Sequence, residues 1–246
     1  MADPVIWLEP PSNLQLNEDE VHLWKADLDP VSENISALFN LLDEGEQNRA
    51  KRFVFERDKN RFTAARGILR QLLGRYINCS AKEVKFSVGP SGKPALCDNS
   101  QLRFNLSHSE GLVLYALSLG RELGVDVESQ IRESTDREIV EQYFSAKQQA
   151  EFLALDPALQ KAAFYLGWTR KEAYLKARGE GLQAKLKNFD VSLSPEQPAV
   201  LRSDDAARWE LYSFCPKLGF VATLVVEKGK CNFRHWEWRE GGTVLR

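Results

Sequence analysis

The run Gly124-Val125-Asp126-Val127-Glu128 places two carboxylates two residues apart among β-branched neighbours. Alternate side chains of a strand share a face, so Asp126 and Glu128 point the same way, about 6.6 Å apart along the chain, while Val125 and Val127 face a core. Hard oxygen ligands in small number suit Mg²⁺, which keeps several waters and completes its shell with substrate phosphates. Taken alone, the pair reads first as the acidic edge of a solvated strand. In Trp168-Thr169-Arg170-Lys171-Glu172-Ala173-Tyr174-Leu175-Lys176, Glu172 and Lys176 lie four residues apart and Trp168 one turn earlier, so all three share one side of a helix. In isolation that is a salt bridge beside a half-buried tryptophan. Lys171 adds a second ammonium beside the same carboxylate, excessive for a surface pair but useful next to a diphosphate. The block Phe104-Asn105-Leu106-Ser107-His108-Ser109 runs from a strand into a polar turn. There Ser107 and His108 offer a hydroxyl and an imidazole to phosphate oxygens, or His108 is a satisfied structural histidine. No Walker or dinucleotide fingerprint occurs, and Gly179-Glu180-Gly181 reads as a helix C-cap and turn.

These groups must be held by two kinds of element. From Leu38 to Tyr76 the period is helical, with Ala65, Ile68, Leu69, Leu72, Leu73 and Tyr76 forming one buried stripe. Between Arg49 and Arg75 basic residues far outnumber acidic ones, a local positive field. Strands are expected at 84–88, 104–108, 113–119 and 123–128, with a turn at 89–94, where glycine and proline set the backbone angles. After Ser129 the helical period returns through Ile139, Tyr143, Phe144, Phe152 and Leu155. A long helix from about Lys161 to Ala177 should end at Gly179. Strands follow at 189–193, 209–214 and 220–226. The order of helices then strands occurs twice, which predicts an α+β chain of two related halves, 1–121 and 122–238, with a tail, 239–246, that is expected to fray.

With 246 residues, 43% hydrophobic and 10% aromatic, the chain can bury a full core. A formal charge of -2 argues against nucleic-acid wrapping and against a membrane surface. The four cysteines lack zinc or thioredoxin-like spacing, and buried thiols in a reducing compartment fit better. No apolar run is long enough to cross a bilayer, and the acidic, proline-broken start does not read as a secretory signal, so the expected location is the cytoplasm.

Taken together, Gly-Val-Asp-Val-Glu at 124–128, Trp-x-x-Lys-Glu-Ala-x-x-Lys at 168–176, Asn-Leu-Ser-His-Ser at 105–109 and Gly-Lys-Pro at 92–94 resemble the 4'-phosphopantetheinyl transferases of the Sfp-like type, in which one chain contains two pseudo-symmetric halves. The resemblance implies that fold, an active site in the cleft between the halves, and coenzyme A bound across it as substrate. It also implies transfer of the phosphopantetheine arm to a serine of an acyl or peptidyl carrier protein in fatty-acid, polyketide or peptide synthesis, by a monomer. By the same resemblance Asp126, Glu128 and Glu172 would hold Mg²⁺ or Mn²⁺, with Glu172 also a candidate base. Lys171 and Lys176 would meet the pyrophosphate, Ser107 and His108 the phosphates, and Lys93 and Pro94 the adenine end, with Arg49 and Arg61 in the region that binds the 3'-phosphate. A glutamate that members often carry shortly after Phe144-Ser145 is replaced by Gln148. A non-catalytic coenzyme A or carrier binder and a metal-dependent diphosphate hydrolase are the competing readings.

Overall fold

Alternation of buried residues on both faces of the strands sorts this chain into layers. A computed structural model of the protein describes residues 3–29, 34–89, 92–97, 101–131, 136–180 and 186–239. In chain order the elements are β1 (Asp3–Pro4), β2 (Glu20–Asp27), α1 (Ile35–Phe39), α2 (Glu44–Ala50), α3 (Glu56–Ile77), β3 (Phe86–Val88), β4 (Pro94–Leu96), β5 (Leu102–Ser109), β6 (Leu112–Leu119) and β7 (Leu123–Ser129). They continue with α4 (Asp136–Tyr143), α5 (Ala146–Leu153), α6 (Pro157–Arg178), β8 (Asp190–Val191), β9 (Leu201–Arg202), β10 (Trp209–Cys215), β11 (Phe220–Glu227) and β12 (Asn232–Glu237).

Two four-stranded sheets, β12-β2-β6-β5 and β1-β10-β11-β7, form the middle of the molecule. On β6, Val113, Tyr115 and Leu117 pack with Ile68, Leu69 and Leu72 of α3. The intervening Leu112, Leu114 and Ala116 pack with Val125 and Val127 of β7 and Ala222 and Leu224 of β11. Beyond that second sheet, Val221 and Val225 join α6 through Phe164, Ala173 and Leu175. The layers therefore run helix, sheet, sheet, helix, and period-2 alternation with both faces apolar is the cause.

Helices α3 and α6 both end where a left-handed residue is available. Asn78 (φ 54°) and Gly179 (φ 68°) take that conformation, and their amides return to Gly74 O and to Leu175 O and Lys176 O. The expected C-cap at Gly179 is thus present. Gly181, Pro90, Ser91 and the tail at 240–246 lie outside the described residues. The strand expected at 189–193 is shorter, Asp190–Val191.

Strands β2 and β12 escape a periodicity reading. On β2, Glu20 and His22 are buried, made tolerable by Arg234 and Asn17 on Glu20 and by Tyr76 on His22. They also change the division of the chain. The N-terminal β1 pairs with β10, and the C-terminal β12 pairs with β2, so each sheet takes an outer strand from the opposite end of the sequence.

Candidate active site

The site is built where α6 lies on the edge strand β7, and a glycine makes that contact possible. A Cβ on Gly124 would come within 2.2 Å of Ala173 O and 2.3 Å of Ala177 N, so only a bare backbone lets the helix approach this closely. Asp126 and Glu128 then face α6, while Val125 and Val127 are fully buried between the sheets.

β5 completes the site from the other sheet. Its alternate residues Asn105, Ser107 and Ser109 accept hydrogen bonds from the amides of Val125 (2.9 Å), Val127 (3.3 Å) and Ser129 (3.1 Å). The open edge of β7 is thereby satisfied by side chains instead of a ladder. The same hydroxyls aim the carboxylates: Ser107 Oγ donates to Asp126 Oδ1 at 2.8 Å, and Ser109 Oγ to Glu128 Oε2 at 2.9 Å. Lys176 Nζ lies 2.7 Å from Asp126 Oδ1 and 3.0 Å from Ser107 Oγ, and also reaches Val125 O.

Asp126 Oδ2 and Glu172 Oε1 are both buried without a hydrogen-bond partner. Burial, with Asp126 and Glu128 nearby, pushes the Glu172 carboxyl up to about 7 against the pull of Lys176. Among the described residues, no three His, Cys, Asp or Glu groups already stand in ligand geometry. The Lys176 ammonium sits against Asp126 and serves as its counter-charge. Two orphaned carboxylate oxygens, with Glu128 beside them, are the donor chemistry of a hard divalent cation.

Outside this cluster His108 is exposed, yet crowding by protein and the charges of Lys176, Arg49 and Arg61 push its pKa down. The charges of three helices, Arg49 on α2, Arg61 on α3 and Lys176 on α6, thus reach this imidazole at the mouth of the carboxylate cluster. Arg61 is held there by Asp29 (2.6 Å) and Glu110, and Arg49 lies 5.1 Å over the ring of Phe62.

Several expected residues are placed differently. Lys171 does not face the cluster: it is fully buried, donating to Leu186 O (2.7 Å) and Phe189 O (2.6 Å), with Phe144 and Phe189 rings about it. One residue along a helix is a turn of roughly 100°, so adjacent Lys171 and Glu172 cannot share a side. Its pKa falls to about 8 through burial. Trp168 packs on Tyr143 and Phe164. Lys93 binds Glu122 Oε2 (2.8 Å), Leu123 O and Ala177 O, a tie across the junction, with Pro94 half-buried beside it. Ser107 is nearly buried and engaged with Asp126 and Lys176.

The positive field between Arg49 and Arg75 is narrower than its residue count suggests. Arg66 and Arg70 bind Glu46, Arg70 also binds Asp43, and Lys59 binds Glu56. Gln148 has a structural task, donating its amide to Val191 O at 2.7 Å while Ser145 caps α5 through the Gln148 N–H. The orienting roles of Asn105 and Ser109 were not assigned from sequence. Their signal is the polar period-2 stripe 105, 107, 109 on a strand whose flanks are apolar.

Comparison with known proteins matches both halves of the chain. Residues 122–225 match the 4'-phosphopantetheinyl transferase superfamily, and residues 26–119 match the 4'-phosphopantetheinyl transferase N-terminal family. The chain is 42% identical over 224 residues to the 4'-phosphopantetheinyl transferase HetI of Nostoc sp., covering 89% of this chain and 93% of that one. It is 33% identical to a putative 4'-phosphopantetheinyl transferase of Synechocystis sp., covering 70% and 72%. To Sfp of Bacillus subtilis it is 26% identical, covering 72% and 78%. A junction shared by two sheets, an acidic edge strand under a long helix, and matches that run through both halves lead to one conclusion: this chain belongs to the 4'-phosphopantetheinyl transferase superfamily.

Proposed function

We propose that the protein transfers the 4'-phosphopantetheine arm of coenzyme A to a serine hydroxyl of an acyl or peptidyl carrier protein and releases 3',5'-adenosine bisphosphate. The observation that carries this reading is the pair of buried, unpartnered oxygens on Asp126 and Glu172 next to Lys176, below the cations gathered at His108. In the reaction the serine oxygen bonds to the β-phosphorus, the bond from that phosphorus to the bridging oxygen breaks, and the serine proton leaves.

Each step has a residue suited to it. Lys176 is placed to shift from Asp126 to the diphosphate as negative charge arrives, and His108, Arg49 and Arg61 line the mouth where further phosphate oxygens would sit. Glu172 is the candidate acceptor of the serine proton, by short hydrogen-bond reach instead of by basicity, because a bound cation would favour its ionised form. Asp126, Glu128 and Glu172 would hold Mg²⁺, which when bound neutralises charge on the pyrophosphate oxygens. With the Lys93 ammonium engaged at the junction, a contribution to the adenine end would come from its aliphatic stem and Pro94. Lys171 is not part of the binding set.

The described cysteines are free thiols and no helix among the described residues is long and apolar enough to cross a membrane; both support a cytoplasmic enzyme, and we take it to act as a monomer. Incubation of an apo carrier with coenzyme A should add the mass of phosphopantetheine, with the gain lost in EDTA and restored by Mg²⁺. An unchanged carrier mass across several carriers, or release of free phosphopantetheine without any carrier, would count decisively against the proposal.

A further inference from the structure

The turn between α2 and α3 carries two side chains, Val54 and Phe55, that neither packing nor capping accounts for. Phe53, Val54 and Phe55 are 38%, 90% and 67% exposed. Phe55 is the N-cap of α3 and offers no side-chain hydrogen bond to that helix, a place where Ser, Thr, Asp or Asn would satisfy a free amide. Val54 precedes it, but Lys59 stands where a hydrophobic staple would need an apolar partner. Local rules broken without structural gain are expected at functional positions.

Charge and position specify what the turn would meet. Arg49, Lys51 and Arg52 are exposed and form no ion pair among the described residues, unlike Lys59, Arg61, Arg66 and Arg70 on the adjoining helix. The turn is also continuous with the site. Phe53 packs on Phe62 with centroids 5.4 Å apart, Arg49 covers that same ring at 5.1 Å, and the Arg49 charge acts on His108. Exposed apolar anchors ringed by unpaired cations complement a helix that is acidic with an apolar stripe.

We propose that residues 51–55 dock an acidic, apolar-striped helix of the carrier protein and so bring its serine to the cleft. This rests on the transferase reading, and Val54 and Phe55 supply the apolar contact while Lys51 and Arg52 supply the charge.

The test uses two full-length double variants, V54D/F55S and K51E/R52E, each checked for an unaltered melting profile. At saturating coenzyme A, KM for the apo carrier should rise about tenfold or more in each with kcat unchanged. Wild-type KM should rise with salt, and K51E/R52E should lose that dependence. Coenzyme A affinity by calorimetry should stay the same. Unchanged carrier KM and salt slope in both variants would overturn the assignment. So would a weakened coenzyme A affinity, which would move the turn into the coenzyme site. Binding of the wild type but not V54D/F55S to anionic vesicles, with carrier KM unaffected, would overturn it in favour of a membrane contact. If the wild type transfers nothing, the transferase reading fails by itself. Titration of carrier onto wild type and variants without coenzyme A then still decides the docking surface: weaker binding by both variants supports it, and equal binding refutes it.

Discussion

At the scale of single residues, the decisive feature is how few hydrogen bonds the central carboxylates make. Asp126 uses one oxygen on Ser107 and Lys176 and leaves the other unpartnered, and Glu172 Oε1 has none. Buried acceptors left unmatched are costly, so their retention points to a ligand that supplies the missing charge. D126N and E172Q should each lower transfer by roughly 100-fold or more with unchanged circular dichroism; near-wild-type turnover in either would remove that residue from the reaction. The raised Glu172 carboxyl also makes a stability prediction. In the metal-free fold it titrates at about 7 instead of 4.5, so the folded state binds the proton more tightly. Its stabilising contribution is complete below the unfolded value and disappears as pH climbs through the folded one. In EDTA, therefore, the melting temperature of E172Q should gain on that of the wild type as pH rises from about 5 to about 8, and Mg²⁺ should narrow the gap at the upper end. Parallel curves would mean that this carboxyl ionises normally.

At the scale of elements, α6 divides its tasks by face. One side carries Glu172 and Lys176 to β7; another carries Lys171 and Arg170 to backbone carbonyls, at Leu186 and Phe189 for the lysine and at Ser192 for the arginine. Replacing Lys171 by Met should leave two carbonyls unpaired in an apolar pocket. The expected loss is about 1–3 kcal/mol in chemical denaturation, with coenzyme A affinity of the folded fraction kept. K176M should lose turnover and coenzyme A affinity as well as stability, because it also strips the counter-charge from the buried Asp126 carboxylate. The fit of α6 on β7 depends on Gly124: its replacement by Ala would force Ala173 O and Ala177 N away from the strand. G124A should lower both the melting temperature and transfer activity, and full activity with an unshifted transition would show that the helix moves freely at this point.

Across the whole molecule the two sheets are joined by three devices. Apolar side chains fill the space between them. Asn105, Ser107 and Ser109 bind the edge of β7. The chain ends cross over, with β1 on β10, β12 on β2, Trp7 Nε1 donating to Pro216 O at 2.9 Å, and Leu8 bridging Trp236. Such a clasp predicts one cooperative unfolding transition for both halves. Removing the residues after Lys230 should expose the β2 edge and raise amide exchange in β2 and β6 above that in β10 and β11. Uniform exchange in the truncated chain would show that β12 is dispensable to the first sheet.

Local chemistry of the sequence determined the strands 104–108 and 123–128, the long helix capped at Gly179, the shared strand face of Asp126 and Glu128, and the shared helix face of Glu172 and Lys176. Each of these depends on spacing within a few residues, where a period of 2 or 3.6 fixes which side chains lie together. Tertiary structure alone decided that Lys171 turns into the core, that Lys93 ties the junction, that buried Glu20 and His22 belong to a strand, and that the chain ends exchange sheets. Those outcomes depend on partners tens to hundreds of residues away, such as Arg234 for Glu20 and Ala177 for Lys93. A charge is read locally as solvated until the fold supplies its distant counterpart.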